Sequence, residues 1–182
     1  MGLLSLIRRG RHERVGFELY GAAVAAARDP WLYTGIGVPD TLDGRFDMVS
    51  LYVFLLIQRV KREKAPGPAL AQAVFDAMFS DMDIKLREMG VGDLSVGRKV
   101  RVMWEAFHGR SAAYAAAMTA GDMPALEAAL ARNVWRGEAP PDGATAALRA
   151  VVAKVEAGLA AQSLDDLARG KVTFAEARED AA

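Results

Sequence analysis

The sequence contains no cysteine. Disulfides, thiolate zinc sites and cysteine nucleophiles are therefore excluded together, and the chain suits a reducing compartment. Histidine is nearly absent as well, with only His12 and His108, so no two-histidine metal motif of the HExxH kind can form. Its 23 basic and 23 acidic residues cancel. Without net charge there is no global field to gather nucleic acid, and no specific nucleic-acid partner is expected. A transmembrane helix needs roughly 20 consecutive apolar residues. The longest apolar stretch here, Met48 to Ile57, is shorter and is interrupted by Ser50. What the chain does have is length: 182 residues suit one domain, which at this size buries roughly 70% of the surface its unfolded form exposes.

At the start, Leu3, Leu4, Leu6 and Ile7 precede Arg8, Arg9, Arg11 and Arg14. A secretory signal has the opposite order, with positive charge before the apolar stretch. Met1-Gly2 suggests myristoylation, but Leu6 stands where that pattern needs Ser or Thr. Residues 1–14 therefore read as a basic amphipathic segment that packs on the domain or rests on an anionic membrane surface. Residues 15–182 read as a single helical domain.

The pattern beyond it is helical almost throughout, and no stretch reads as a strand. An Ala-rich helix ends at Asp29-Pro30, because the residue before proline is disfavoured in the helical region. DPWLYTGIGVPDTLDG, rich in Gly and Pro, reads as a long shaped loop displaying Trp31 and Tyr33. A central apolar helix covers Arg45 to Arg62, and APGP separates it from a helix over Ala69 to Met89. With Asp93 as its N-cap, the longest helix has a buried stripe of Val96, Val100, Trp104 or Met103, Phe107, Ser111, Tyr114 and Met118. Shorter helices follow, one ending at Trp135 and one over Ala144 to Ala161. Ser163 and Thr173 then open two starts resembling capping boxes. The fold class is all-α, a single-domain bundle of about six to eight helices with a long Gly/Pro-containing loop.

Paired acids raise the question of catalysis. Asp81 and Asp83, two apart on a helix, point about 200 degrees from one another, which does not suit joint acid/base work on one substrate. Each has a basic partner four residues on, Lys85 and Arg87, in the favourable order with the acid first. Gly90 and Gly92 follow no strand, so they read as a helix end and turn rather than a phosphate loop. No catalytic residue, metal ligand or cofactor site is expected.

Two segments combine rare residues in a fixed order: GVPDTLDGRFDM at Gly37 to Met48 and DMDIKLREMGVGDL at Asp81 to Leu94. A third, HGRSAAY, carries Gly109, Arg110 and Tyr114. Together they resemble the ubiquinol-cytochrome c chaperone family, assembly factors for the cytochrome b subunit of ubiquinol-cytochrome c reductase. The likeness is strongest over residues 20–114. Tyr52, Ala26 and Gly97-Arg98 depart from residues common in the family. The resemblance implies an all-helical, non-enzymatic protein that binds newly made cytochrome b. Its mitochondrial members are also associated with the ribosome and a small partner protein. High Ala, Arg and Gly usage without an import presequence points to a bacterial protein of the cytoplasm, peripheral at the inner membrane.

A chaperone for a membrane protein should offer an adaptable apolar groove with polar edges. Trp31, Tyr33, Asp40, Asp43 and Arg45 are candidates for one edge. Asp81, Asp83, Arg87 and Asp93 are candidates for another, with Arg110 and Tyr114 of the long helix nearby. The simpler alternative is that these charges pair with one another and fix the helix order. From a different class comes a helical enzyme acting on an isoprenoid or lipid-like substrate, with magnesium at Asp81 and Asp83 and a second acidic set at Asp40 and Asp43. A third possibility is an interaction protein with an unrelated client.

Overall fold

The computed structural model describes residues 3–178 and consists of eight helices, with no strand among the described residues. They are α1 (Leu3–Ala26), α2 (Pro30–Thr34), α3 (Leu42–Lys61), α4 (Gly67–Glu88), α5 (Asp93–Ala120), α6 (Met123–Val134), α7 (Ala144–Ala160) and α8 (Leu164–Leu167). α3 is the axis of the bundle. Its near-continuous apolar run is explained by neighbours on every side, since it touches α1, α4, α5, α6 and α7. Apolar residues from Met48 to Leu56 are buried in succession, with Asp47 and Ser50 as the polar exceptions.

α1 runs through Arg14 and Val15 without a break. The side chains of residues 1–9 and 11, on which the expected apolar face and three of its four arginines fall, lie outside the described residues. Farther along, α1 packs on α4 through a close backbone approach: a Cβ added to Gly16 would sit 2.5 Å from the Ala73 carbonyl oxygen. Burial of Val15, Leu19 and Ala23 continues that seam.

The expected long loop after Asp29 is partly helical. Asp29 accepts a hydrogen bond from the Trp31 amide at 2.9 Å, and Pro30 takes the first helical position, where its missing N–H costs nothing. Together they nucleate the short α2. Thr41 caps α3 by accepting from the Gly44 amide at 3.0 Å, so α3 begins at Leu42 rather than Arg45. A second capping assignment also shifts. Gly92, not Asp93, is the N-cap of α5; Asp93 lies in the first turn, where its charge suits the helix dipole.

Two further expectations are corrected. Trp104 is not in the buried stripe of α5 but 44% exposed. The buried face runs through Val96, Phe107, Arg110, Tyr114 and Ala117 with Met103 half-buried at its margin, and one step of 100 degrees beyond Met103 turns Trp104 towards solvent. No helix starts at Thr173. Instead Gln162 clamps that residue, accepting from its amide at 2.8 Å and donating to its carbonyl at 2.7 Å. This satisfies the Thr173 peptide groups outside a helix and lays the C-terminal strap along the end of α7. The strap reaches α2, where the Ala177 amide donates to Asp29 at 3.2 Å.

Candidate functional site

An open groove of about 930 Å³ lies at one end of the bundle. Its walls come from α1, α3, α4, α5, α6 and the turn after α6. The floor is apolar: Phe46 and Val49 from α3, Met82 and Leu86 from α4, Met103 and Ala106 from α5. At the rim, Leu42, Met89 and Val102 are 69%, 54% and 59% exposed. These side chains meet water because no element among the described residues covers them, and they form a continuous apolar surface with those of the floor.

Behind the groove lies a buried charge cluster. Asp47, on α3, is 2% exposed and is held by two arginines. Arg110 of α5, itself 8% exposed, donates from Nη1 to Asp47 and stacks its guanidinium over the Phe46 ring at 5.4 Å. Arg136 donates from Nε and Nη2 to the two Asp47 oxygens at 2.7 and 2.9 Å, and its Nη1 lies 2.9 Å from Asp43. To do so it adopts a φ of 52°, a left-handed conformation that costs an L-residue roughly 1–2 kcal/mol. The cluster ties α3, α5 and the end of α6 together, which fixes three walls of the groove.

Opposite this, Asp81 at the other wall accepts from Tyr20 at 2.7 Å and from Lys85 at 2.6 Å. Burial, and then the hydrogen bond to Asp81, pushes the Tyr20 hydroxyl far above the ordinary tyrosine range. Tyr20 thus joins α1 to α4 through a protonated phenol.

The residues expected to dock a client separate in the structure. Asp43, Arg45, Asp81 and Arg110 line the groove. Asp83, Arg87 and Asp93 stand beyond its lining as an exposed chain of charges: Arg87 donates to Asp83 at 2.6 Å and also pairs with Asp93. Asp40 pairs with Arg45 at 2.6 Å, and this partner holds its carboxyl below the usual range. Trp31 and Tyr33 are not in the groove wall. Trp31 lines a smaller cleft with Phe174 and stacks against Arg178 at 5.5 Å, while the Tyr33 hydroxyl donates to the Ala27 carbonyl at 2.8 Å. Tyr114 is enclosed and presents no surface to a client, which corrects its inclusion as a docking residue. Its ring packs on Phe54 at 5.6 Å, and burial pushes its hydroxyl up to about 12.

Sequence reasoning missed Asp47 and Arg136 as structural charges, and with them Phe46, Met82, Met89 and Val102 as groove residues. Asp47 carried a signal, since it is an acid at the entry to an apolar run. For Arg136 there was none, because its partner is 89 residues away. The carboxylates that a magnesium site would use are engaged by cationic side chains: Asp81 by Lys85, Asp83 by Arg87, Asp40 by Arg45 and Asp43 by Arg136. Among the described residues no cluster of three or more histidines, aspartates or glutamates is arranged to hold a metal ion.

Comparison with known proteins places this geometry. Residues 34–174 match the family described as ubiquinol-cytochrome C chaperone. The ubiquinol-cytochrome-c reductase complex assembly factor 1 of Xenopus laevis is 28% identical over 97 residues, covering 53% of this chain and 48% of that protein. The chain thus spans about half the length of the curated relative it matches. The crystal structure of the Cbp3 homolog from Brucella abortus superposes with a TM-score of 0.82 at 37% identity, covering 97% of this chain and 98% of the other. The matched span includes five of the six groove-forming parts whole, all but α1, and with them Asp47 and both of its arginines, so groove and family coincide: the chain belongs to the ubiquinol-cytochrome C chaperone family.

Proposed function

We propose that this protein is a non-enzymatic assembly chaperone that binds newly made cytochrome b in the open apolar groove and promotes assembly of ubiquinol-cytochrome c reductase. The observation that carries the proposal is the uncovered apolar surface of Leu42, Met89 and Val102 above the floor of Phe46, Met82 and Met103. Apolar residues at such a position are stabilised by covering them: fully burying one side chain of this size contributes about 1.5–3 kcal/mol. Three methionines in the wall supply unbranched, polarizable side chains that repack around different apolar shapes. A chaperone requires this property, since its client is held transiently and in more than one conformation.

Release matters as much as capture. The contacts of the floor and of the apolar rim are non-directional, so the client can leave when its own subunit partners cover the same surface. The buried Asp47 cluster keeps the groove walls in place while this happens. Among the described residues no helix is long and apolar enough to cross a membrane, so in this proposal the protein meets its membrane-inserted client from the membrane surface, with the ribosome as a further candidate partner during synthesis.

The test is affinity capture from the native host with membrane proteins retained. Cytochrome b should be enriched with the wild-type chain and depleted with the double substitution Met89→Gln and Val102→Gln, which changes exposed side chains only. Equal recovery with both chains would remove the groove from the account, and no recovery with either would remove the client.

A further inference from the structure

The groove is electrostatically one-sided, although the chain as a whole carries no net charge. Eight cations line it, against only two acids, Asp43 and Asp81. Four of the cations are already neutralised: Arg45 by Asp40, Lys85 by Asp81, and Arg110 and Arg136 by the Asp47 and Asp43 pair. Arg28, Arg98, Lys99 and Arg132 remain, all exposed and without a carboxylate partner among the described residues. They stand on three separate parts of the wall, at the end of α1, in the first half of α5 and in the last turn of α6.

We propose that the occupant of the groove is an amphipathic helix whose apolar face is bordered by aspartate or glutamate, and that the four unpaired cations select it by charge. This rests on the groove being the client site, and it names which kind of client segment fits. Charge complementarity sets the sign. Four cations around an apolar floor attract an acidic border and repel a basic one, and like-charge juxtaposition at an interface is strongly disfavoured. The all-helical wall sets the form of the segment. It offers no strand edge, so an extended peptide would leave its own N–H and C=O groups without partners over the apolar floor, whereas a helix satisfies them internally. The open rim separates a helix from a lipid chain. Leu42, Met89 and Val102 face water, and an acyl chain lying there would stay wet on one side, while an amphipathic helix covers the floor with one face and presents its polar face outward. A volume of about 930 Å³ corresponds to roughly two turns of a helix about 10 Å across.

The experiment measures binding of the full chain to two fluorescent helical peptides sharing one leucine face, one bordered by glutamates and the other by lysines. A third probe is a vesicle of phosphatidylcholine with phosphatidylglycerol. The glutamate peptide should bind roughly tenfold tighter than the lysine peptide, and the preference should shrink as salt is raised. The double substitution Arg98→Glu and Lys99→Glu leaves two acids against the two remaining cations and should abolish the preference, with helix content unchanged by circular dichroism. Equal affinity for both peptides, abolished in both by Met89→Gln with Val102→Gln, would overturn the charge selection and leave the groove as the client site. Absence of groove-dependent binding by either peptide would overturn both. Binding to the anionic vesicles that Arg98→Glu with Lys99→Glu abolishes, without binding to the glutamate peptide, would overturn the proposal in favour of a lipid surface.

Discussion

Arg136 grips Asp47 with two parallel hydrogen bonds, Nε to Oδ2 at 2.7 Å and Nη2 to Oδ1 at 2.9 Å, across 89 residues of sequence. With Arg110 on the same carboxylate, the pair decides how the start of α3, the middle of α5 and the end of α6 meet, and so where the groove lies.

Removing the shared acid should therefore be costly. Asp47→Ala leaves Arg110 buried without its partner, and breaking such a pair costs about 3–5 kcal/mol. Urea denaturation should show a loss of that size. By contrast, Arg45→Ala removes an exposed pair and should leave the urea midpoint nearly unchanged. Arg136→Gly and Arg136→Ala both lose the hydrogen bonds, but glycine relieves the left-handed backbone, so the glycine variant should be the more stable of the two by roughly 1 kcal/mol.

The α1–α4 seam gives a prediction with opposite signs at two glycines of one helix. Gly16→Ala places a methyl 2.5 Å from the Ala73 carbonyl oxygen, and forcing the helices apart should cost about 1–3 kcal/mol despite alanine's better helix propensity. Gly21→Ala meets nothing within 4 Å and should stabilise the protein by about 0.5–1 kcal/mol. Thermal melts of the two variants should move in opposite directions.

Much of the architecture could be read from residue order, because helix periodicity and Gly/Pro punctuation are local. The ends of α3, α4, α6 and α7 fall within a few residues of where the pattern put them. The pairs Asp81–Lys85 and Asp83–Arg87 are equally local and are present as expected. What depends on which helix packs against which was not visible. Trp104 and Met103 are interchangeable in a periodic pattern until α4 and α6 occupy their places beside α5. Arg110 looked like an edge residue until Asp47 supplied a buried partner from 63 residues away. The groove itself is assembled from six parts of the chain, none of which carries a distinctive signal alone.

Trp104 and Phe107 test that correction. Phe107 is buried against Phe75 and Phe79, with ring centroids at 5.8 and 6.1 Å, and Phe107→Ala should cost about 3–5 kcal/mol. Trp104, half open to solvent and stacked on His108 at 4.0 Å, should cost well under that when replaced by alanine. Equal losses in denaturant would place Trp104 back in the core.

Alkaline pH should expose the tyrosines' environment. All four tyrosines, Tyr20, Tyr33, Tyr52 and Tyr114, have hydroxyls raised above the ordinary value of 10.0, with burial as the leading cause. Their protons are held more tightly in the folded state. The stability they contribute is therefore complete below the unfolded value of 10.0 and is lost as pH rises from there through the folded values. Spectroscopic titration should show little tyrosinate near pH 10.0 and then a steep rise together with loss of helix content. A simple titration centred on 10.0 with the helices intact would contradict the buried placement.

The most direct measurement of the central claim is cytochrome b content and ubiquinol-cytochrome c reductase activity in a host that needs this enzyme, has no second copy of the protein, and carries the gene deleted or replaced by Met89→Gln with Val102→Gln. Both quantities should fall in the deletion strain and in the double variant, while the variant protein stays folded and as abundant as wild type. Normal cytochrome b and reductase activity in the deletion strain would contradict the claim.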